Sequence, residues 1–263
     1  MKQERRRIVR VLTDDGPRQG VVVDGQIHAL TGELLGRWET TDRLGTLEEV
    51  SLLPPVVPSK IIGVGLNYRA HAAESRMEIP AEPLLFLKPP STIIGPDAGI
   101  VLPPQSDRVD YEAELAVVIG RSCRNVSADQ AWSYVLGVTC GNDVTARDLQ
   151  QRDNQWTRAK GFDTFCPLGP WVVTGLSEDE IGDLKIVGRV NGEVRQAART
   201  SDLVFSIPEL IAHASSIMTL EPADVILTGT PEGVGPLKAG DAVEVEVENI
   251  GILRNYVASN STR

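Results

Sequence analysis

Between Asp110 and Gly120 the chain reads Asp-Tyr-Glu-Ala-Glu-Leu-Ala-Val-Val-Ile-Gly, so alternate acids give way to an unbroken apolar run. Side chains of a strand alternate between faces. Asp110, Glu112 and Glu114 therefore share one face, which Ala116 and Val118 continue. Ala113, Leu115, Val117 and Ile119 line the other. Both faces are apolar beyond Glu114, so this strand is expected to be covered on both sides. Two ionised glutamates side by side at its mouth repel each other and lose hydration. A divalent cation relieves both penalties, and hard carboxylate oxygens select Mg²⁺, Mn²⁺ or Ca²⁺.

A second acid follows an apolar run in the same way, at the end of Val135-Leu136-Gly137-Val138-Thr139-Cys140-Gly141-Asn142-Asp143. Asp143 also suits a helix N-cap. Three carboxylates at two strand ends would leave part of a metal's coordination sphere open. Three further elements carry chemistry. His71 and Glu74 lie three apart on a predicted helix, where a carboxylate can set the imidazole tautomer and raise its basicity; a surface ion pair has the same spacing. Lys160 sits in a largely apolar stretch from Trp156 to Leu168, so it either snorkels to water or needs an anion. Leu227-Thr228-Gly229-Thr230-Pro231-Glu232-Gly233-Val234-Gly235 offers backbone N–H groups and two hydroxyls to a carboxylate, or serves as an ordinary turn. No Gly-Lys-Ser/Thr follows, so it is not a phosphate loop.

The spacing of turns and apolar runs predicts an α/β chain dominated by strands. Strands are expected at 7–12, 20–23, 61–65, 84–87, 99–102, 112–119, 133–140, 225–227 and 242–247. Helices are expected at 68–76, 128–132 (with a capping box from Ser127), 145–152 and 207–218. A polar stretch reaching residue 50 has helix-like spacing. The proline-rich segment 53–60 reads as an extended linker, placing a small β-rich unit at 1–57 and a main domain at 58–263. With 263 residues and 41% hydrophobic content the chain can bury a full core. Its charge of −10, with dispersed Lys and Arg, argues against nucleic acid or an anionic membrane as partner. No apolar run approaches a membrane span. Cysteines 123, 140 and 166 lack zinc or disulfide spacing, and the cytoplasm is the expected compartment.

In this order the motifs resemble the fumarylacetoacetate hydrolase superfamily. They are Gly65-Leu66-Asn67-Tyr68, Asp110 to Leu115, Gly141-Asn142-Asp143-Val144-Thr145-Ala146-Arg147-Asp148, Lys160-Gly161-Phe162-Asp163-Thr164, Ser206-Ile207-Pro208-Glu209-Leu210-Ile211 and Thr228 to Gly235. Within it the chain resembles the small bacterial acylpyruvate hydrolases, oxaloacetate decarboxylases and 2-hydroxyhepta-2,4-diene-1,7-dioate isomerases. The resemblance implies a mixed β-roll catalytic domain, a homodimer, and Mg²⁺ or Mn²⁺ on Glu112, Glu114 and Asp143. It implies that a 2-oxo acid chelates the metal, that Lys160 neutralises the enolate, and that Thr230, Gly229 and their loop hold the carboxylate. His71 with Glu74 would activate water on a closing lid, and Gln150 would contact substrate. The implied reaction is cleavage of a C–C bond in a 2-oxo or 2,4-dioxo acid; isomerisation of an unsaturated 2-oxo diacid and silent 2-oxo-acid binding are the alternatives. In Glu221-Pro222-Ala223-Asp224, Ala223 replaces the glycine of many members, which a type I turn would tolerate.

Overall fold

The computed structural model describes residues 4–32 and 38–258. Strand outweighs helix by 46% to 18%, so the strand-dominated α/β class holds. One twelve-stranded sheet organises the chain. Its order is Trp38–Thr46, Gln26–Gly32, Gly16–Val23, Arg6–Thr13, Cys166–Thr174, Val135–Asn142, Ala113–Ile119, Val225–Leu227, Ile61–Gly65 and Leu84–Lys88, with Ser51–Leu53 and Ile93–Ile94 paired to its side. A five-stranded sheet (Glu193–Arg199, Lys185–Val190, Ala242–Val247, Gly251–Ala258, Gly99–Val101) and a three-stranded one complete the architecture.

The acid-bearing strand runs through the middle of the large sheet, and every residue of Ala113–Ile119 is buried. Its neighbour Val135–Asn142 is equally buried. Leu115, Val117 and Ile119 join the main core with Val138, Cys140 and Ile211. Each such apolar side chain contributes about 1.5–3 kcal/mol on burial, which makes the strand a stiff platform. The first acid belongs elsewhere. Val109–Tyr111 pairs in the three-stranded sheet, and the chain changes sheets at Glu112.

Four local expectations differ from the structure. The polar stretch before residue 50 is not helical where it is described: Trp38–Thr46 is an edge strand paired with Gln26–Gly32, and residues 33–37 lie outside the described residues. Solvent takes the outer row of an edge strand, so polar residues can occupy it throughout. The 128–132 helix is a 3₁₀ segment, Ala128–Tyr134, and Ser127 makes no side-chain cap bond. Helix begins at Arg147 rather than Thr145, because Thr145–Ala146 pairs with Val109–Tyr111. Finally, Ala223 has φ +72°, and Asp224 N–H donates to Glu221 O at 3.0 Å. A positive φ after Pro222 is the type II turn pattern, which explains the preference for glycine and corrects the type I reading.

Candidate active site

Pairing of the two buried strands assembles the acids. Ala113 faces Asn142 in register. Asn142 Oδ1 accepts from Glu112 N at 2.9 Å, and Asp143 N donates to Glu112 O at 2.9 Å. The result is a cluster of Glu112, Glu114 and Asp143, all buried, each offering an oxygen within 4.8 Å of the others. Asp110 shares their sequence alternation but not the cluster. It accepts from Arg108 Nε at 2.9 Å and from Arg147 Nε at 2.9 Å.

Three cations surround the acids. Lys160 ends the short helix Thr157–Lys160 and is 2% exposed, so it does not snorkel. Its Nζ donates to Glu112 Oε2 at 2.9 Å and to Asp143 Oδ2 at 2.5 Å, and lies 4.8 Å from the Phe86 ring centroid. Lys88 is also buried. It donates to Asp143 Oδ1 at 2.5 Å and Val144 O at 3.2 Å. Arg147 bridges Asp110, Glu112 and Gln150 Oε1.

These contacts divide the charge unequally. Burial alone would raise the Glu112 carboxyl, but Lys160 and Arg147 outweigh it and hold it well below the usual carboxylate range. Burial likewise opposes the Lys160 ammonium, yet Asp143 and Glu112 hold its pKa above that of a free lysine. Glu114 is the exception. Burial first, then Asp143 and Glu112, push its carboxyl well above the usual range, and among the described residues only the Gly229 N–H, at 2.7 Å, bonds it. A site of three hard oxygen donors with one uncompensated carboxylate fits a divalent cation such as Mg²⁺ or Mn²⁺.

The same cavity, about 310 Å³, is lined by His71, Gln150 and Thr230 beside the acids and Lys160. His71 lies on the helix Arg69–Glu74, with Nδ1 3.3 Å from Glu74 Oε2. The other Glu74 oxygen accepts from Gly233 N at 3.0 Å, tying this helix to the glycine loop. Gly233 has φ +94°, and a Cβ there would lie 2.0 Å from Arg195 O, so only glycine allows this loop path. The expected substrate contacts are partly occupied. Gly229 N–H is committed to Glu114, and the Thr230 hydroxyl donates to Ala113 O at 3.0 Å. Phe86 and Trp156 meet edge to face, 5.5 Å between centroids, and form an apolar wall. Gly65 makes room for that wall, since a Cβ there would lie 2.7 Å from the indole.

Sequence reasoning missed Lys88 and gave Arg147 no role. Arg147 lies within a quoted motif. Lys88 ends the apolar Leu84-Leu85-Phe86-Leu87 run, the same signal that singled out Lys160.

Comparison with known proteins shows the family and the fold. The family described as "Fumarylacetoacetate (FAA) hydrolase C-terminal" matches residues 60–258, and the family "Rv2993c-like, N-terminal" matches residues 6–55. A human protein named oxaloacetate tautomerase FAHD2A, mitochondrial, is 48% identical over 219 residues, or 80% of this chain and 70% of that protein. The crystal structure of 5-carboxymethyl-2-hydroxymuconate delta-isomerase from Mycobacterium smegmatis superposes with a TM-score of 0.89 at 47% identity, covering 97% of this chain and 100% of that one. That of 2-hydroxyhepta-2,4-diene-1,7-dioate isomerase from Mycobacterium marinum gives a TM-score of 0.90 at 42% identity, covering 98% and 100%. With a family match across most of its length and this fold, the chain belongs to the fumarylacetoacetate hydrolase family.

Proposed function

We propose that this chain is a Mg²⁺- or Mn²⁺-dependent enzyme acting on short 2-oxo and 2,4-dioxo acids, with C–C cleavage of the acylpyruvate or oxaloacetate type as its leading reaction. The observation that carries this reading is one cavity holding three clustered buried carboxylates, a buried ammonium and a His–Glu pair. Glu112, Glu114 and Asp143 would hold the cation, which when bound supplies a Lewis acid to the carboxylate and adjacent keto oxygen of such a substrate. Lys160 stays protonated beside Asp143 and Glu112, so its role is electrostatic: it offsets negative charge developing on the keto oxygen as the enolate forms. Glu74 lies against His71 Nδ1 and leaves Nε2 to accept a proton. That base activates water for attack on the distal carbonyl of a 2,4-dioxo acid. Gln150 is the proposed polar substrate contact; Thr230 lines the same cavity, with its hydroxyl proton given to Ala113 O, so it would contact substrate without donating to it. Phe86 and Trp156 shield the reacting atoms from bulk water. The active unit would span residues 58–263 and work as a homodimer.

Relatives named as isomerases and as an oxaloacetate tautomerase favour a second reading. There His71 moves a proton along the carbon chain of the same bound acid, and no C–C bond breaks. A silent 2-oxo-acid binder would have no use for a base.

The test is purified protein with Mg²⁺, offered acetylpyruvate, oxaloacetate and a hydroxymuconate-type diene in parallel. Turnover of at least one is expected, and His71→Ala should lower kcat by about 10²–10⁴-fold while oxalate still binds. Keto–enol exchange without cleavage selects the second reading. Tight oxalate binding with no turnover of any substrate overturns the enzyme assignment.

A further inference from the structure

The peptide of Ala113 lies between two of the clustered carboxylates, Glu112 and Glu114, at a point where the sheet ladder has run out on one side. Ala116 still pairs with Leu227, but the strand Val225–Leu227 ends there. Two side chains take over its role. Ala113 N–H donates to Gln196 Oε1 at 2.9 Å, and Ala113 O accepts from the Thr230 hydroxyl at 3.0 Å. Gln196 Nε2 closes the circuit, donating to Thr230 Oγ1 and to Pro231 O, both at 2.8 Å.

Gln196 comes from a different sheet. It is the only fully buried residue of the strand Glu193–Arg199 and is 1% exposed. Its carbonyl and both amide hydrogens are bonded, so the group is satisfied and orientationally fixed. The circuit also constrains Thr230. A hydroxyl has one proton, here given to Ala113 O, and one of its lone pairs receives Gln196. No hydroxyl proton remains for a ligand carboxylate.

We propose that Gln196 is a positioning residue: it holds the Ala113 peptide, and through it the spacing of Glu112 and Glu114, while locking the Thr230 hydroxyl into the scaffold. This rests on the metal-site reading above. It needs no contact between Gln196 and substrate.

Gln196→Met removes all three hydrogen bonds at similar volume. Three measurements decide the proposal: Mn²⁺ affinity by electron paramagnetic resonance, turnover at saturating Mn²⁺, and amide hydrogen exchange over residues 111–115 and 229–231. Mn²⁺ affinity should fall about 10–100-fold, as for other residues that orient metal ligands. Saturating Mn²⁺ should return turnover to within several-fold of the unsubstituted protein, because Lys160 and His71 are untouched. The Ala113 amide should exchange at least tenfold faster. Unchanged Mn²⁺ affinity and unchanged exchange overturn the proposal. Where Gln196→Met fails to fold, Gln196→Glu keeps an acceptor for Ala113 N–H and loses the donor to Pro231. It should leave 111–115 protected and loosen 229–231; equal protection of both segments overturns the proposal. If the unsubstituted protein takes up no Mn²⁺, the metal reading fails, and the exchange measurement still judges Gln196.

Discussion

Two buried carboxylates at neighbouring strand ends are treated in opposite ways. Asp224 is fully buried and saturated with donors. It accepts from Ser59 N at 3.0 Å, Ser59 Oγ at 2.7 Å, Lys60 N at 3.0 Å and Glu221 N at 2.7 Å, and it pairs with Lys60 Nζ. Those bonds pin the segment entering Ile61–Gly65 to the turn before Val225–Leu227, where the two strands run parallel. Glu114 is just as buried, yet it has one backbone donor and two like charges beside it. Burial is the same for both acids; completeness of the partner set is what differs, and a buried carboxylate is costly to ionise unless a partner or ligand completes it. That difference underlies the proposed metal role of Glu114.

The sharpest way to break this contrast is substitution of each acid in turn. Glu114→Gln should abolish Mn²⁺ uptake, a loss beyond about 100-fold, with the metal-free protein melting no lower than before, since the amide still accepts from Gly229 N–H and cannot ionise beside Glu112 and Asp143. Asp224→Ala should do the reverse. Removing one partner of a buried ion pair costs about 3–5 kcal/mol, read by urea unfolding, with Mn²⁺ stoichiometry unchanged in the folded fraction. Loss of stability in both variants, or of metal in both, would erase the distinction.

A smaller effect follows from pH. Glu114 has its folded-state carboxyl raised above the unfolded value, so the metal-free protein is favoured at low pH and loses that stability as pH rises through the raised value. The cation needs the carboxylate, so affinity should tighten with pH, by up to about tenfold per unit while the proton is being shed. Titrations at pH 5.5, 6.5 and 7.5 measure this slope, and a flat profile contradicts it. The smallest effect lies beside Asp224. Ala223→Gly relieves a positive φ and should stabilise the fold by about 1 kcal/mol, seen in urea unfolding without any change in metal affinity.

What could be read from the sequence depended on how local its cause was. Alternation of acids into an apolar run places Glu114 on a buried strand and Glu112 at its mouth, because face and burial are set within a few residues. The partners of that cluster are not local. Lys88 meets Asp143 across 55 positions, Arg147 meets Glu112 across 35, and Gln196 meets Thr230 across 34. No periodicity encodes such meetings; only sheet pairing does. Trp38–Thr46 was illegible for another reason. An edge strand with one wet row shows no clear period of two, and Glu39, Thr40, Thr41, Asp42 and Arg43 are all exposed. The change of sheet at Glu112 was hidden because strand alternation in sequence carries no information about which neighbour a strand hydrogen-bonds.

The continuity of the large sheet has a consequence for anyone cutting this chain. Arg6–Thr13 pairs with Cys166–Thr174, matching Arg7 to Val173 and Ile8 to Val172. A protein begun at residue 58 would lose that partner and expose a row of unpaired N–H and C=O groups beside Val172 and Val173. Such an edge is a template for other chains. In the full chain Arg6–Thr13 covers that edge, and a protein begun at residue 58 is expected to be limited first by solubility.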